Sequence, residues 1–599
     1  MGSASLAVLE VGEDVGKHKR RKGDGGLARS AWLVLAAATG AGLNPAAAQT
    51  PPSPSQTPPA DTAVQPGAET VFVFPPAQGL TPPPGAEELR FTLRELVIVG
   101  QYPEMEAEGE RIKAIHELQD GNVGGWISVA DIYRFAAQLQ GAYLEAGYPL
   151  ARVIVPTQGL GDDGVVRLQV VDGFVESLDL DGVPEAARKR VRDVLTPLIG
   201  HQRPSRATIE RRLLLAGDTA GLTLRTTLTP GRGLGATVLV LEGEHKAISG
   251  VIAADNRVSE EYGRWQATAS IAFNSPFGYG EQIFATYAGF PEGDALGEDA
   301  RRRYLALGAS VPLGNDGLIA TVSADYSTTR PEGDLAPLRL ESEYARAGLS
   351  LAYPVVRTRT HNIILRGGLD AVSETQDTLI TGTPVPLSAD RLRVARLGLE
   401  ASGALGDGGF GAIRGQFSQG IDGLGARSAE EASVFKPLSR QGADADFRAL
   451  EGSVTLSSSV ASGVIFTADA RAQTSFGDPL LRSEQFSPIA ANGISGPPPS
   501  AMVGDHGGVV RLELQRPIGS ETAFAAPYIF GAHAITHLEQ PTALELGRTE
   551  VTAYGVGVRF GARTGEAGGV NATLEFTQSQ SNDRELDRTW VTAAVGYRF

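Results

Sequence analysis

The side chains best suited to chemistry are few and scattered. Four of the eight histidines, His361, His506, His533 and His537, fall in the C-terminal half, where acids and serines abound. A histidine between a carboxylate and a hydroxyl could serve hydrolysis as a general base. None of the four sits in an H-E-x-x-H helix, and no serine sits in a G-x-S-x-G elbow. The chain has no cysteine, which excludes thiolate nucleophiles, cysteine zinc sites and disulfides. No G-x-x-x-x-G-K-[ST] loop cradles a phosphate, so no nucleotide is expected. With 53 basic and 69 acidic residues the formal net charge is −16, unsuited to nucleic acid. The expectation is a non-enzyme with no catalytic residue, metal or cofactor. Its chemistry would be that of backbone pairing and of fixed charges.

The elements that would position such groups change character along the 599 residues. Lys17, Lys19, Arg20, Arg21 and Lys22 precede an apolar stretch from Ala31 to Leu43, and Ala46-Ala47-Ala48 fits a cleavage site. Residues 1–48 are therefore expected to be an export signal. Residues 49–88 carry PPSPSQTPP, FPPAQG and TPPPG, a proline density that favours an extended tether. Two small α/β modules of order β-α-α-β-β follow, over 90–173 and 174–246. The first has strands at 91–99, 150–156 and 165–171, a short helix near 111–118 and a helix over 129–146. Val129, Ile132, Phe135, Leu139 and Tyr143 form the apolar stripe of that second helix. In the second module, Arg188, Lys189, Arg190 and Arg192 read as a solvated helix face rather than a binding patch.

From 247 to 599 the helical period disappears and segments of about ten residues alternate apolar with polar positions. Val510, Leu512 and Leu514 interleave with Arg511, Glu513 and Gln515; Val570, Ala572, Leu574 and Phe576 interleave with Asn571, Thr573, Glu575 and Thr577. Sixteen such segments start near 249, 264, 280, 301, 317, 342, 361, 391, 410, 446, 464, 507, 523, 550, 568 and 588. Short connections (274–280, 313–316, 354–360, 405–409, 459–463, 517–522 and 562–568) alternate with others that are mostly longer, the largest at 372–390, 419–445 and 475–505. The last segment ends in Tyr597 and Phe599 on one face with Val591, Ala593 and Val595. The fold class expected is mostly β: a 16-stranded antiparallel transmembrane β-barrel, apolar towards lipid and polar inside, preceded by the two modules.

Two such modules before a sixteen-strand barrel resemble the two-partner secretion transporters of the hemolysin activation/secretion family, within the outer-membrane assembly-factor superfamily. The modules resemble that family's polypeptide-transport-associated (POTRA) domains. Residues 147–183 (GYPLARVIVPTQGLGDDGVVRLQVVDGFVESLDLDG) are similar to the end of its first module, and 255–283 to its first two barrel strands. SEQFS (483–487) and VVRLELQRP (509–517) resemble the flanks of its sixth external loop. The resemblance implies an outer-membrane protein with periplasmic modules that passes an unfolded secreted exoprotein, adhesin- or hemolysin-like, passively through its barrel. A barrel-assembly factor of the same superfamily is the alternative. Other implied partners are outer-membrane lipid and, during insertion, the barrel-assembly machinery, for which Tyr597 and Phe599 would be the terminal signal.

The sixth loop departs from the family. Its Val-Arg-Gly-Tyr/Phe tetrad is replaced by Ile494-Ser495-Gly496-Pro497, and the aspartate of the thirteenth strand by Ala532. Losing both halves of an ion pair avoids the cost of one stranded charge. The loop is still expected to enter the lumen, held by backbone bonds around 493–496 and by Pro497-Pro498-Pro499, with its tip near Arg511 and Glu513 on the wall. Passenger recognition is expected at the first module by strand addition. Ala151, Val153, Val155 and Thr157 form the candidate edge there, beside the grooves of the helix over 129–146.

Overall fold

The computed structural model describes residues 54–56, 70–72, 80–119, 126–159, 164–291, 297, 300–380, 382–406, 408–520, 522–564 and 568–599. The expected export signal, 1–48, and most of the proline-rich stretch lie outside the described residues.

Alternation of apolar and polar residues builds the larger part. A closed antiparallel barrel is formed by β10 (Ile248–Asp255), β11 (Gln266–Asn274), β12 (Gln282–Gly289), β13 (Arg302–Leu313), β14 (Leu318–Thr329), β15 (Leu340–Arg357), β16 (His361–Thr378), β17 (Val385–Ala404), β18 (Gly409–Gly420), β19 (Arg448–Ala461), β20 (Val464–Thr474), β21 (His506–Gln515), β22 (Ile518–Gly519), β23 (Ala523–His537), β24 (Arg548–Arg563), β25 (Gly569–Ser581) and β26 (Thr589–Arg598). β21 and β22 both pair with β23 in one register, so they form a single stave and the staves number sixteen. Each of the sixteen segments expected from alternation has its stave. The burial is inverted relative to a water-soluble sheet. On β21, Val510, Leu512 and Leu514 are exposed, whereas Arg511 and Glu513 are buried. That is the arrangement for lipid outside and a polar, filled interior.

One expected long loop is short. Residues 372–390 contain only a six-residue connection, 379–384, because β16 and β17 run on to 18 and 20 residues. Glu374, Gln376 and Thr378 point inward there, with polar Ser373, Thr375 and Asp377 outward. Polar residues on both faces give no apolar alternation to read. The barrel closes between β10 and β26 over the pairs Val251–Arg598 to Asp255–Ala594, and Gly250 and Phe599 exchange backbone bonds of 3.0 Å each way. The Asn256 side chain prolongs this seam, accepting from the N–H of Ala593 and donating to the carbonyl of Val591.

The first module has two sheets. β2 (Arg90–Thr92) pairs with β4 (Trp126–Ser128), while β3 (Glu95–Val99) pairs with β6 (Val165–Val171), which also holds β5 (Arg152–Ile154). The expected 91–99 strand is broken because the N–H groups of Arg94 and Glu95 both turn to the carbonyl of Gly164. Helices α1 (Glu106–Gln119) and α2 (Val129–Glu145) cover the sheets. Ser128 caps α2 in a reciprocal capping box with Asp131, and Ile132, Phe135, Leu139 and Tyr143 enter the core. In the second module β7 (Phe174–Gly182), β8 (Leu222–Pro230) and β9 (Ala236–His245) pack under α3 (Glu185–Leu195) and α4 (Arg206–Gly217).

The basic helix face is not merely solvated. Arg190 is buried, donating to the carbonyl of Gly314 at 2.6 Å and to the side chain of Asn315. Arg211 reaches the carbonyls of Pro354 and Asp316, and Asp218 pairs with Arg357 at 2.6 Å. The second module is thus clamped to the turns 314–317 and 358–360 and the stave ends beside them. Of the four basic residues on α3, Lys189 and Arg192 are exposed as expected, whereas Arg190 is not, since nothing local in the sequence announces those turns.

Candidate functional site: a seated lumen loop and two covered strand edges

The sixth outer loop, 475–505, packs inside the barrel. Phe486, Ile489, Ile494 and Met502 from the loop form one buried cluster with Val509, Ala532, Ala534, Val551 and Ala553 on the inner wall. Ala532 therefore belongs to an apolar seat for Ile494. Gly496 has φ of 113°, and an added Cβ there would lie 2.5 Å from Trp590, so this position requires glycine. The tip closes on itself, with Ile494 donating to the carbonyl of Pro488 and Ala490 donating to that of Ile494. Pro497 is buried, and the carbonyl of Pro499 accepts from the Ser487 hydroxyl at 2.6 Å.

The charge that meets the tip comes from the wall. Arg511 lies in register with Ala532 on the neighbouring stave and is only 2% exposed. Its guanidinium donates to the Ser495 hydroxyl at 2.9 Å, to Glu575 at 2.8 Å and to Glu513 at 3.1 Å, over the ring of Phe530. Tyr528 donates to Glu575 at 2.7 Å, and Arg559 binds Glu513 with both terminal nitrogens. Two guanidinium groups and two carboxylates form a neutral quartet, to which the loop adds a neutral acceptor. Beside its backbone bonds and prolines, the loop tip thus has an apolar seat and the Arg511 bond to Ser495.

The near end of the loop brings charges of its own. Glu484 takes a bidentate pair from Arg396 (2.8 and 3.0 Å), which also binds Asp370, itself bonded to Arg346. Arg482, buried, donates to Gln376. At the far end Asp505 is fully buried, accepting from Arg440 and from the backbone of Leu480 and Glu539. Beside the loop tip a cavity of about 350 Å³ remains, lined by Arg414, Gln416, Glu451, Thr455, Arg471 and Asn492. A short piece of the proline-rich stretch also lies in the lumen: the Ser55 hydroxyl donates to both oxygens of Glu374, at 2.8 and 3.0 Å.

Both candidate strand edges of the modules are covered by the chain itself. β5 is an edge strand, but only residues 152–154 pair with β6. Of the expected edge positions, Ala151 donates its N–H to the carbonyl of Tyr148, and Val153 donates to the Gln140 side chain at 3.0 Å. These two are not open edge donors, and their side chains are buried in the core. Val155 follows on the same side by alternation, and Thr157 is exposed. In the second module the outer edge of β8 carries a parallel strand, β1 (Thr70–Phe72), paired Thr70–Leu224 to Phe72–Thr226. Sequence reasoning missed this strand, although the β-branched and aromatic run TVFVF is of a type enriched in strands. At the joint between the modules Arg203 pairs with Asp172 and stacks on Tyr102, whose hydroxyl is pushed up to about 12 by burial, with the charge of Asp172 adding.

Among the described residues no group of three or more His, Asp or Glu side chains is placed to hold a metal. His506 meets Glu539 at a loop base, and His533 bonds to Thr552. The C-terminal rings of Tyr597 and Phe599 stack at 6.1 Å.

Comparison with known proteins gives the same organisation. The profile described as Haemolysin secretion/activation protein ShlB/FhaC/HecB matches residues 235–560, and that of the ShlB-type POTRA domain matches 109–173. Outer membrane transporter CdiB of Dickeya dadantii (strain 3937) is 25% identical over 349 residues, which are 58% of this chain and 59% of that protein. Heme/hemopexin transporter protein HuxB of Haemophilus influenzae (strain 86-028NP) is 22% identical over 45% of this chain and 46% of its own. The matched segment thus spans no more than about 59% of these relatives' length. The solved structure of CdiB from Escherichia coli superposes with a TM-score of 0.64 at 18% identity, covering 96% of this chain and 98% of that one. The chain belongs to the Haemolysin secretion/activation protein ShlB/FhaC/HecB family, outer-membrane β-barrels with periplasmic POTRA domains.

Proposed function

We propose that this protein is a passive outer-membrane transporter: its modules take up an unfolded exoprotein in the periplasm and its barrel passes that chain outward, as in two-partner secretion. The observation that carries the reading is the pairing of a closed barrel, whose lumen already accommodates a loop and a piece of the N-terminal stretch, with modules whose strand edges are held by the chain itself. An unfolded chain offers free backbone groups, which pair with such an edge without demanding a fixed sequence once the chain's own cover gives way. Energy would come from folding outside. In this reading Val155 and Thr157 extend the edge available to the passenger, and Gln140 must release Val153 before pairing can spread along β5. Tyr597 and Phe599 serve as the signal read by the barrel-assembly machinery.

The test is a photo-crosslinking residue at Gln416 or Asn492, beside the lumen cavity. Capture of a secreted exoprotein supports transport; capture of nascent outer-membrane barrels would replace it with an assembly role. Removing residues 90–244 is expected to abolish secretion.

A further inference from the structure

The first periplasmic turn, 275–281, is built to hold two aromatic rings outside the protein. Ser275 has φ of 49°, and Gly278 and Gly280 are also left-handed, a conformation that costs a non-glycine residue free energy. The buried Glu281 carboxylate accepts from the N–H groups of Phe277 and Tyr279. The Ser275 hydroxyl accepts from Gly280 and donates to the carbonyl of Ala186 on α3 at 2.8 Å. The result is a fixed turn whose Phe277 and Tyr279 are 70% and 56% exposed.

These rings prolong an existing surface. Phe273 and Ile283, paired across the staves that enter and leave the turn, are exposed on the lipid-facing side. The apolar band therefore runs past the stave ends to the turn. Lys189 of α3, paired with Asp193 at 2.8 Å, then sets its ammonium 5.0 Å from the centre of the Tyr279 ring, and Arg192 follows on the exposed side of the helix. Aromatic rings flanked by cations are what the boundary between hydrocarbon and phosphate favours. Glu185 and Asp193 pair with Arg188 and Lys189, and the helix keeps a positive excess in a chain of net charge −16.

We propose that turn 275–281, with Lys189 and Arg192, is a seat for the phospholipid headgroups of the adjoining leaflet, fixing the second module against the membrane surface. The occupant is lipid and not the passenger, because the site continues the outer belt and not the lumen or a strand edge.

The absence of cysteine makes the test direct. Phe277→Cys, Arg192→Cys and, as a control, Leu234→Cys are spin-labelled singly in the full chain and placed in bilayer discs of phosphatidylethanolamine and phosphatidylglycerol. Leu234 is exposed in the turn before β9, at the end of that strand remote from the barrel. The ratio of oxygen to aqueous nickel-chelate collisions should be at least about threefold higher at 277 than at 234, as expected of a group at the lipid boundary. A small fraction of nickel-chelating lipid should relax the label at 192 more than the label at 234. Tyr279→Cys repeats the first measurement should the 277 label perturb the turn, and heat-modifiable electrophoretic mobility checks that the barrel is folded. An aqueous profile at both turn positions, or equal relaxation at 192 and 234, would overturn the proposal.

Discussion

Removing one oxygen should loosen the sixth loop measurably without releasing it. Ser495→Ala deletes the loop's acceptor for Arg511, a charge-assisted bond of 2.9 Å in a buried setting. Such bonds contribute about 1.5–3 kcal/mol. The carbonyl of Gly493, 3.5 Å from the same nitrogen, compensates little. Arg511 itself keeps Glu513 and Glu575, so no charge is orphaned. The undocked population should rise by about 10- to 100-fold, because 1.4 kcal/mol is tenfold. Ile494→Ala should do more. It empties a fully buried side chain from the apolar seat, which costs about 2–5 kcal/mol. The assay is the rate at which a membrane-impermeant maleimide labels Met502→Cys, a buried loop position, in each background of this cysteine-free chain. If both substitutions left that rate within about twofold of the parent, far below the tenfold per 1.4 kcal/mol expected, the seat would not be what holds the loop.

Three further outcomes follow from the same geometry. Ser495→Arg alone should speed labelling at 502 and not improve secretion, because it sets a second guanidinium against Arg511; adding Ala532→Asp, opposite Arg511 in register, should restore the parent rate at least in part. Val155→Pro should weaken passenger-peptide binding to the full chain, measured by fluorescence anisotropy, while Gln140→Leu should strengthen it by freeing the Val153 N–H; opposite signs are required if β5 is the edge used. Val71→Pro, which removes a backbone donor from β1, should raise passenger affinity if the edge of β8 is shared, and leave it unchanged if β1 is only structural.

Alternation made the sixteen staves legible because each needs only its own residues: Val510, Leu512 and Leu514 face lipid whatever their neighbours are. What alternation cannot supply is the stagger between staves. Glu575 lies 64 residues from Arg511 and Glu484 lies 88 from Arg396; each polar residue could be assigned to the lumen face, but not to its partner. Ser495 and Ala532 were visible as departures from the family, and Arg511 and Glu513 as wall residues near the tip. The apolar character of the seat was hidden, since alanines at 532, 534 and 553 look unremarkable until Ile494 fills the space among them. The covered edges were hidden for another reason. The Gln140 side chain and the Thr70–Phe72 strand satisfy backbone groups of distant segments, and sequence patterns carry no record of which backbone donor a side chain will choose.

Placing the arginine on the wall instead of on the loop changes what leaving the lumen costs. A loop that carries its own guanidinium strands a wall carboxylate when it departs, and an unpaired buried charge costs several kcal/mol. Here Arg511 and Arg559 stay behind with Glu513 and Glu575, so the quartet remains neutral whether Ser495 is present or absent. Tip release then breaks the hydrogen bonds that Ser495 and the Gly493 carbonyl make with the quartet and exposes the apolar seat, and neither step separates opposite charges. Dissolved salt screens separated charges and does little to apolar contacts at moderate concentration. The rate of Met502→Cys labelling should therefore change by less than about twofold between 0.01 and 0.15 M salt, where the screening length falls from about 30 to about 8 Å. The Glu484–Arg396 pair, nearer the base of the loop, supplies the contrast. In an Arg396→Gln background the near end has lost its ion pair, and salt should matter less still. A steep acceleration by salt in the parent, abolished by Arg396→Gln, would mean that the charged base and not the apolar tip governs when the loop moves.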